Sequence, residues 1–538
     1  MSSLPAPYNE HVDTHEPGSP ARARLAEALA TLSKEVAEIP VVAGPAELRT
    51  GSILEVTMPH RRRHVIARAH EAGAKETQAA IDAALAVAPA WAETPFEERA
   101  AIFLRAADLL SGPWRARISA ACMLGQSKTA HQSEIDAVAE MADFFRWNVH
   151  FYAELQKHQP VSPKGMWNRL EMRPLEGFVF AVTPFNFLAI AANLPCAPIL
   201  GGNVCVWKPA TSSLLGCWHV LEMLREAGLP DGVLTLVPGH GPTQSEVALA
   251  SPHLAAIHFT GSTGTFKHLW KGVAANLDRY RTFPRLVGET GGKDFIVAHP
   301  SADPIAVATA ISRGGYEYQG QKCSAASRIY VPRSLWPTVR DRVVSDLASM
   351  KMGDVADFSN FVGAVIDDRA FARIRGYQEL ARQSATILAG GGASDAEGWF
   401  VQPTLVQVED PKHRLMSEEI FGPVVTCFVY DDAKWSDTLE LVDGTSPYAL
   451  TGAVFARDSI ALAEADVALR NAAGNFYVND KPTGAVVGQQ PFGGARASGT
   501  NDKAGSMFNL VRWISPRTVK ETFVPPTDWR YPFLSDRP

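Results

Sequence analysis

The chain has 538 residues, a length that exceeds one compact core and predicts roughly two or three domains. Hydrophobic residues make up 46% and charged residues 20% of the sequence, which is the balance of an ordinary globular protein. The formal net charge of -6 argues against the basic surface that nucleic-acid binding requires, so nucleic acid is not an expected partner.

The N-terminal region begins with a polar segment. Residues 1–20 mix acids, bases and prolines without an apolar stretch, so neither a secretory signal nor a membrane anchor is predicted. The six cysteines occur singly, without the spacing of a zinc site or a disulfide framework. We therefore expect a cytoplasmic protein with no membrane association and no bound metal. A basic run, HRRRH at 60–64, is interpreted as a solvated loop.

Helices are predicted where apolar residues recur at spacings of three and four, over 77–88, 97–110 and 133–156. From 175 to 287 short β-branched runs alternate with helical segments such as 212–227. These runs lie at 177–182, 203–207, 233–237 and 255–259. Alternation of strand and helix predicts a parallel, doubly wound sheet.

A second alternating block follows residue 294. It contains a predicted strand at 328–331, a helix at 335–350 and a strand at 424–430, and we assign it to a separate domain. The active site is expected between the two blocks. Residues 161–173 and 511–523 are predicted as extended strands outside both. Since an exposed strand edge is an aggregation liability, we expect these strands to be paired.

Two short motifs suggest a nucleophile and a base. Cys323 lies in GQKCS at 320–324, and Glu289 lies in GETGGK at 288–293. A thiol becomes catalytic when it is held as a thiolate beside a carboxylate, and flanking glycines let the backbone and a substrate approach closely. Considered alone, Cys323 would be interpreted as a small packing residue, and Glu289 is equally uninformative.

Three further motifs change that interpretation: TPFNF at 183–187, KP at 208–209 and EIFGP at 419–423. In their order and spacing, the motifs resemble those of NAD(P)-dependent aldehyde dehydrogenases over nearly the whole chain. The resemblance implies an α/β fold with a Rossmann-like parallel sheet in the cofactor domain, an α/β catalytic domain and a β oligomerisation arm.

On this resemblance we divide the chain into three parts. The NAD-binding domain comprises 1–160 and 175–290, the arm comprises 161–174 and 508–538, and the catalytic domain comprises 291–507. In the family, such an arm pairs with a neighbouring subunit. A dimer-based homo-oligomer is therefore implied by resemblance.

The cofactor is expected at FTGS, residues 259–262, where a predicted helix at 265–276 opens after a strand. Helix N-termini bind pyrophosphate, but G-x-G-x-x-G is absent, and the segment alone would be interpreted as an ordinary turn. By resemblance, Ser262 with Gly261 contacts the pyrophosphate of the cofactor.

The resemblance also assigns residues to the two riboses of the cofactor. Lys208 would bind the adenosine ribose, and Glu419 would hold the nicotinamide ribose beside Phe421 and Phe185. A surface lysine and an exposed acid are the alternatives for Lys208 and Glu419. Thr211 stands where the family often has an acidic residue that discriminates against a 2'-phosphate, so the expectation of NAD rests on the family alone.

These groups suit the oxidation of an aldehyde to a carboxylate. The Cys323 thiolate attacks the carbonyl, and the Asn186 amide and the Cys323 backbone N–H would stabilise the oxyanion. Hydride passes to the nicotinamide, and the resulting thioester is hydrolysed by water that Glu289 activates as a general base.

Three longer sequence segments restrict the resemblance to one subfamily. They are FTGSTGTFKHLW at 259–270, NAAGNFYVND at 471–480 and QQPFGGARASGTNDK at 489–503. These strings are similar to those of 1-pyrroline-5-carboxylate dehydrogenases, also called L-glutamate γ-semialdehyde dehydrogenases, which catalyse the second step of proline degradation.

The substrate of that subfamily carries an α-carboxylate, for which backbone N–H groups in a glycine turn are suitable donors. Gly484 and Ala485 match the family's anchor loop for this carboxylate, and Ser324 adds a hydroxyl. A plain turn before a strand is the alternative for the loop.

Other predicted substrate residues are aromatic or acidic. Phe185 and Phe492 would enclose the aliphatic chain of the substrate, with core packing as the alternative for both. Glu140 matches a family acid near the pocket entrance, with an exposed helix-face position as the alternative.

Two other functions stay open at this stage. One is an aldehyde dehydrogenase that acts on another aldehyde, such as succinate semialdehyde. The other is a noncatalytic protein that has kept the fold, because a fold alone does not establish activity. No proline dehydrogenase module is expected before residue 40, so a separate proline dehydrogenase is a candidate for transient contact.

Overall fold

The computed structural model describes residues 4–534. Residues 1–3 of the predicted NAD-binding domain and residues 535–538 of the predicted arm lie outside the described part. The α-helices of the described part are α1 Pro20–Leu32, α2 Ala74–Glu93, α3 Phe96–Ser111, α4 Arg115–Gln126, α5 Ala130–Ser133, α6 Met141–Gln156, α7 Leu188–Leu200, α8 Leu214–Glu226, α9 Pro242–Ala250, α10 Thr263–Ala275, α11 Pro304–Tyr316, α12 Trp336–Ser349, α13 Asp368–Ser384, α14 Arg414–Ser417, α15 Trp435–Gly444, α16 Ser459–Ala468 and α17 Met507–Leu510.

The strands in the same part of the chain are β1 Ala37–Ile39, β2 Val41–Ala43, β3 Ala46–Leu48, β4 Ile53–Met58, β5 Arg61–His70, β6 Met166–Arg173, β7 Phe178–Val182, β8 Val204–Lys208, β9 Leu234–Leu236, β10 Leu254–Thr260, β11 Arg285–Glu289, β12 Asp294–Ala298, β13 Ala326–Pro332, β14 Thr386–Ala389, β15 Ala393–Ser394, β16 Phe400–Val401, β17 Thr404–Val408, β18 Val424–Tyr430, β19 Tyr448–Ala449, β20 Thr451–Phe455, β21 Asn475–Val478, β22 Ala495–Arg496 and β23 Ser515–Thr522. Several shorter helical turns connect these elements.

The first large sheet has seven strands in the order β11-β10-β7-β8-β9-β2-β3. The strands from β11 to β9 run parallel, and β2 and β3 complete one edge in antiparallel pairing. The four runs predicted between 177 and 259 are present as β7 to β10. Strands β7 and β8 are almost continuous apolar runs because a parallel sheet is buried on both faces.

The second large sheet also has seven strands, in the order β14-β17-β18-β13-β12-β20-β21. All pairs are parallel except β14 with β17. β13, α12 and β18 correspond to the predicted strand, helix and strand of the second block. The two sheets confirm the predicted α/β fold class, while the boundaries of the three assigned domains stay a prediction.

The predicted arm strands pair with each other. β6 and β23 form an antiparallel ribbon, in register from Ser515 opposite Arg173 to Thr522 opposite Met166. The C-terminal strand is shorter than predicted, because Val511–Trp513 forms a 3₁₀ turn before it. Most side chains of the ribbon are exposed or half-buried.

The basic run at 60–64 is not a loop, so that interpretation was wrong. β5 begins at Arg61 and pairs with β4 in an antiparallel hairpin. The charges are compatible with a strand because Arg61 forms an ion pair with Asp354, and the guanidinium of Arg62 lies 4.8 Å from the ring centroid of Trp399. Long basic side chains thus remain at the surface while their backbone joins the sheet.

The helix predicted over 133–156 is interrupted. Residues Glu134–Glu140 form a π-helix between α5 and α6. The wider turn directs the Asp136 carboxylate to the start of α7, where it accepts hydrogen bonds from the N–H groups of Leu188 and Ala189, each at 2.9 Å. π-Helical turns are frequent at functional sites, and apolar periodicity does not distinguish them from an α-helix.

Candidate active site

Cys323 lies in a tightly constrained loop between α11 and β13. The loop begins with Tyr318, Gln319 and Gly320, all in the left-handed region with φ between 49° and 65°. Strain in such residues persists only where the surroundings fix them. Here the Gln319 side-chain amide donates to the Ser127 carbonyl at 3.0 Å, and at Gly320 a Cβ would lie 2.3 Å from the carbonyl oxygen of Gly422.

The segments that contain Cys323 and Glu289 come into contact at Gly292. A Cβ on Gly292 would lie 2.1 Å from the carbonyl oxygen of Cys323, so only glycine permits the two backbones to approach this closely. Gly292 belongs to the turn that follows Glu289 at the end of β11. The structure therefore brings the predicted nucleophile and base together from different sheets.

Glu289 is surrounded by glycines. Both of its carboxyl oxygens accept from the backbone N–H of Gly494, at 3.3 and 3.1 Å. Cβ atoms on Gly493 and Gly499 would lie 3.2 and 3.1 Å from the same carboxyl group. Burial raises the pKa of Glu289 well above its usual value, while the Gly494 N–H opposes that rise.

The electrostatics of Cys323 favour the protonated thiol. Burial raises the pKa of the thiol, and the carboxylates of Asp294, Glu289 and Glu419 raise it further. Each carboxylate disfavours a second negative charge nearby. Cys323 is half-buried, whereas the other cysteines of the described part are buried. It is thus the accessible thiol in residues 4–534.

Asn186 is positioned across the boundary between the two sheets. It is buried between β7 and α7, and its side-chain amide donates to the carbonyl of Gln321 at 3.1 Å. The amide has a second hydrogen for another acceptor. Within residues 4–534 no hydrogen-bond acceptor is found for the backbone N–H of Cys323. The Cys323 N–H and the second hydrogen of the Asn186 amide are therefore free to donate, and their assignment as oxyanion donors stays a prediction.

A cavity of about 310 Å³ opens from Cys323. Most of the predicted substrate residues line it, namely Ser324, Gly484, Ala485, Phe492 and Glu140. Thr483 also contributes, with its hydroxyl 2.8 Å from that of Ser324. Thr483 was not predicted as a site residue, because only its position next to the anchor loop distinguishes it in the sequence.

Phe185 does not line this cavity, which corrects the predicted aromatic enclosure. Its ring packs edge-to-face on Phe421, with centroids 5.8 Å apart, and Phe187 lines the cavity instead. The ring of Phe187 is held 4.3 Å from the ammonium of buried Lys128. The motif at 183–187 contains both phenylalanines, and only the backbone path decides which one faces the substrate.

Glu140 faces the cavity rather than an exposed helix surface. It ends the π-helix, and burial together with the nearby Asp136 carboxylate raises its pKa. Such an environment favours the neutral acid, which donates a hydrogen bond as well as accepting one.

The anchor loop presents open donors. Gly484 has φ 91°, and the loop before it is fixed by Lys481, whose ammonium donates to the Thr483 carbonyl at 2.9 Å. The backbone N–H groups of Gly484 and Ala485 have no hydrogen-bond acceptor among the described residues. Two unpaired N–H groups at a cavity wall are suited to a carboxylate.

The predicted pyrophosphate residues lie at a helix N-terminus. Gly261 and Ser262 connect β10 to α10, and the Ser262 hydroxyl caps α10 by accepting from Thr265 N–H at 3.2 Å. Gly264 in the first turn of the helix has open space around its Cβ position. The helix dipole and free space fit the pyrophosphate of a dinucleotide.

The predicted ribose residues also fit a dinucleotide. Lys208 ends β8, burial lowers its pKa to about 8, and no acceptor within the described chain lies in hydrogen-bonding distance of its ammonium. Glu419 accepts from Gly292 N–H at 2.9 Å, and burial raises its pKa to about 7. Phe421 follows with φ 55°, a left-handed conformation. A half-buried donor and a half-buried acceptor are thus available for the two riboses of a dinucleotide.

Residues 4–534 contain no group of three or more His, Cys, Asp or Glu side chains arranged to hold a metal ion. None of the helices in this range combines the length and apolar character needed to cross a membrane.

The chain is similar to known proteins in family, sequence and structure. The model of the aldehyde dehydrogenase family matches residues 47–519. A mitochondrial delta-1-pyrroline-5-carboxylate dehydrogenase from Homo sapiens is 50% identical over 529 residues, covering 98% of this chain and 94% of the relative. The crystal structure of the delta-pyrroline-5-carboxylate dehydrogenase from Mycobacterium tuberculosis bound with NAD has a TM-score of 0.96 at 50% identity, covering 99% of each chain. Proline utilization A from Bdellovibrio bacteriovorus matches with a TM-score of 0.92 at 28% identity, over 98% of this chain and 55% of that one.

Proposed function

This chain belongs to the aldehyde dehydrogenase family, and we propose that it oxidises L-glutamate 5-semialdehyde, formed from 1-pyrroline-5-carboxylate, to L-glutamate with NAD. This reaction is the second step of proline degradation. One observation carries the proposal: a single cavity contains both the Cys323 thiol and the unpaired N–H groups of Gly484 and Ala485.

We propose Cys323 as the nucleophile. Its sulfur forms a bond to the aldehyde carbon, and the thiol proton leaves to solvent or to a nearby carboxylate. The Asn186 amide and the Cys323 N–H donate to the oxygen that becomes negative, which gives a thiohemiacetal. The fixed amide of Asn186 supports this role, because preorganised donors need no reorientation during the reaction.

The cofactor site is assigned to residues that fit a dinucleotide. Lys208 would bind the adenosine ribose, Ser262 and Gly261 the pyrophosphate, and Glu419 with Phe421 and Phe185 the nicotinamide end. NAD bound at these residues would supply a hydride acceptor. Loss of hydride from the thiohemiacetal carbon would leave a thioester on the Cys323 sulfur.

Glu289 is proposed as the general base for hydrolysis of this thioester. Its carboxylate takes a proton from water as the water oxygen attacks the acyl carbon, and the Cys323 sulfur leaves as thiolate. The raised pKa of Glu289 suits the role, because a more basic carboxylate accepts a proton from water more readily.

Substrate selection is proposed to depend on the distance between the thiol and the anchor loop. The α-carboxylate of the semialdehyde would accept from Gly484 and Ala485 N–H, and the Ser324 hydroxyl would add a third donor. Phe187 and Phe492 would pack against the aliphatic chain between them. The carboxyl of Glu140 would face the α-amino end.

A comparison of three aldehydes tests this function. We expect kcat/KM with NAD to be highest for glutamate semialdehyde, lower for succinate semialdehyde and lowest for hexanal, which has no carboxylate. Repeating the series with NADP measures the cofactor preference. Equal kcat/KM for all three aldehydes would refute the assigned substrate.

The assembly and location of the protein are part of the proposal. We propose a dimer-based homo-oligomer in which the exposed β6–β23 ribbon pairs with a second copy, and a cytoplasmic location. Several relatives are named mitochondrial, including the one from Homo sapiens. A transient contact with a separate proline dehydrogenase is consistent with the match to proline utilization A, of which this chain covers 55%.

A further inference from the structure

The N-terminal segment 4–15, which we call the N-terminal strap, forms part of the substrate cavity. It contains neither helix nor strand, yet Asn9, Glu10 and Val12 line the same cavity as Cys323. From the sequence alone this region was interpreted only as a polar segment.

The Asn9 side chain bridges a helix and the loop region that binds the substrate. Its amide nitrogen donates to the Asp143 carboxylate on α6 at 2.7 Å and to the Val487 carbonyl at 2.8 Å. Its amide oxygen accepts from the Gln489 side chain at 3.0 Å. Both polar atoms of one half-buried carboxamide are therefore used, and two of the three contacts reach the segment just after Gly484 and Ala485.

Glu10, the residue that follows Asn9, attaches the strap to the helices. The Glu10 carboxylate pairs with Arg115 and Arg146, each at 2.8 Å, and accepts from the Ser111 hydroxyl at 2.7 Å. The Glu10 backbone N–H donates to the Asp143 carboxylate at 2.6 Å. Because Arg146 is only 5% exposed, this ion pair is shielded from water and holds its geometry better than a surface pair.

The anchor loop needs such an external contact. Its N–H groups at Gly484 and Ala485 are unpaired within the described chain, so they do not fix their own orientation. Lys481 holds the loop on the N-terminal side through the Thr483 carbonyl, and Asn9 holds it on the C-terminal side through Val487 and Gln489. The two attachments are on either side of the unpaired donors.

We infer that Asn9 is a positioning residue that holds the anchor loop in the geometry that receives the substrate carboxylate. The strap would then determine specificity without contacting the reacting atoms. This inference rests on the proposed function, since it assumes that Gly484 and Ala485 bind the carboxylate.

Kinetics of Asn9→Ala test the inference. We expect the KM for glutamate semialdehyde to rise by about 3- to 10-fold, the effect of losing a small number of hydrogen bonds. The kcat, the KM for NAD and the KM for hexanal should stay near the wild-type values. Asn360→Ala is the matched control, because Asn360 is also half-buried and hydrogen-bonded but does not line the cavity. A rise of both aldehyde KM values in parallel would overturn the inference.

Amide hydrogen exchange gives a readout that does not depend on the substrate. In Asn9→Ala, exchange across residues 484–490 should become several-fold faster, with no change across α13. Unchanged exchange in 484–490 would overturn the positioning role. If the wild-type protein showed no preference for glutamate semialdehyde, the proposed function would fail, whereas the exchange result would still decide whether Asn9 orders the loop.

Discussion

Both carboxyl oxygens of Glu289 accept a hydrogen bond from the backbone N–H of Gly494, across 205 residues of chain. This contact fixes the orientation of the predicted base. Burial at the same place raises the pKa of Glu289 well above its usual value, which makes the carboxylate a stronger base.

Replacing the base should slow hydrolysis and not the first chemical step. In Glu289→Gln the steady-state kcat should fall by about 10²- to 10⁴-fold, the usual contribution of a general base. The amide keeps the size of the side chain and can still accept from Gly494. Stopped-flow absorbance should show a burst of NADH followed by a very slow steady state. Loss of the burst together with the steady state would move Glu289 to an earlier step.

The thiol of Cys323 should titrate at a pH that depends on Glu289. Because its carboxylate raises the pKa of the thiol, Glu289→Gln should lower the midpoint pH for alkylation by iodoacetamide. In the wild type that midpoint should lie above that of free cysteine. The buried position of the other cysteines makes alkylation of the folded protein report on Cys323. A midpoint that rises in the variant would contradict this electrostatic account.

Asn186→Ala removes one of the two oxyanion donors. We expect a loss of kcat on the order of 10²-fold with little change in the KM for NAD. Asn193→Ala is a suitable control, since it truncates another buried asparagine, on α7, whose amide contacts Asn148. Stopped-flow kinetics should show a smaller burst rate in the first variant alone. A wild-type burst rate in Asn186→Ala would assign the role to another donor.

Changes in the anchor region should affect one class of substrate. Ser324→Ala and Ala485→Val should raise the KM for glutamate semialdehyde by about 10-fold, and that for hexanal much less. The first removes a hydroxyl that contacts Thr483, and the second crowds an N–H group at the cavity wall. Steady-state kinetics on both aldehydes measure the difference. Equal effects on the two KM values would contradict the proposal that this region binds the substrate carboxylate.

The close approach of the Gly292 backbone to the Cys323 carbonyl should make a larger residue at position 292 destabilising. Gly292→Ala places a methyl group against the Cys323 carbonyl, and we expect a loss of about 1–3 kcal/mol in the free energy of unfolding. Gly376→Ala in α13 is the control, because nothing lies within 4 Å of its Cβ position. Urea denaturation of both variants checks the contrast. If the two variants were equally stable, the backbone at residue 292 would have shifted to accommodate the methyl group at little cost in free energy.

Much of the fold followed from local patterns. Runs of β-branched residues separated by helical segments identified β7 to β10, together with β13 and β18, because buried parallel strands must be apolar on both faces. The basic run at 60–64 was wrongly interpreted as a loop. Charged residues can form a hairpin strand when their side chains stay in contact with water. The π-helix Glu134–Glu140 was missed because one extra residue in a turn leaves apolar spacing almost unchanged.

The site was predictable in its chemistry and less so in its geometry. Cys323, Glu289 and Asn186 were identified from motifs, and their proximity depended on folding. The choice between Phe185 and Phe187 could not be made from the sequence, since both are aromatic and two positions apart. Asn9 gave no signal, because its partners Asp143 and Val487 are far away in the chain.

Peptide mass spectrometry of Glu289→Gln, quenched after a single turnover with 1-pyrroline-5-carboxylate and NAD, tests the central claim most directly. We predict a glutamyl thioester on the peptide that contains Cys323, in an amount equal to the NADH formed. NADH formation with the acyl group on another residue, or with none, would contradict the account.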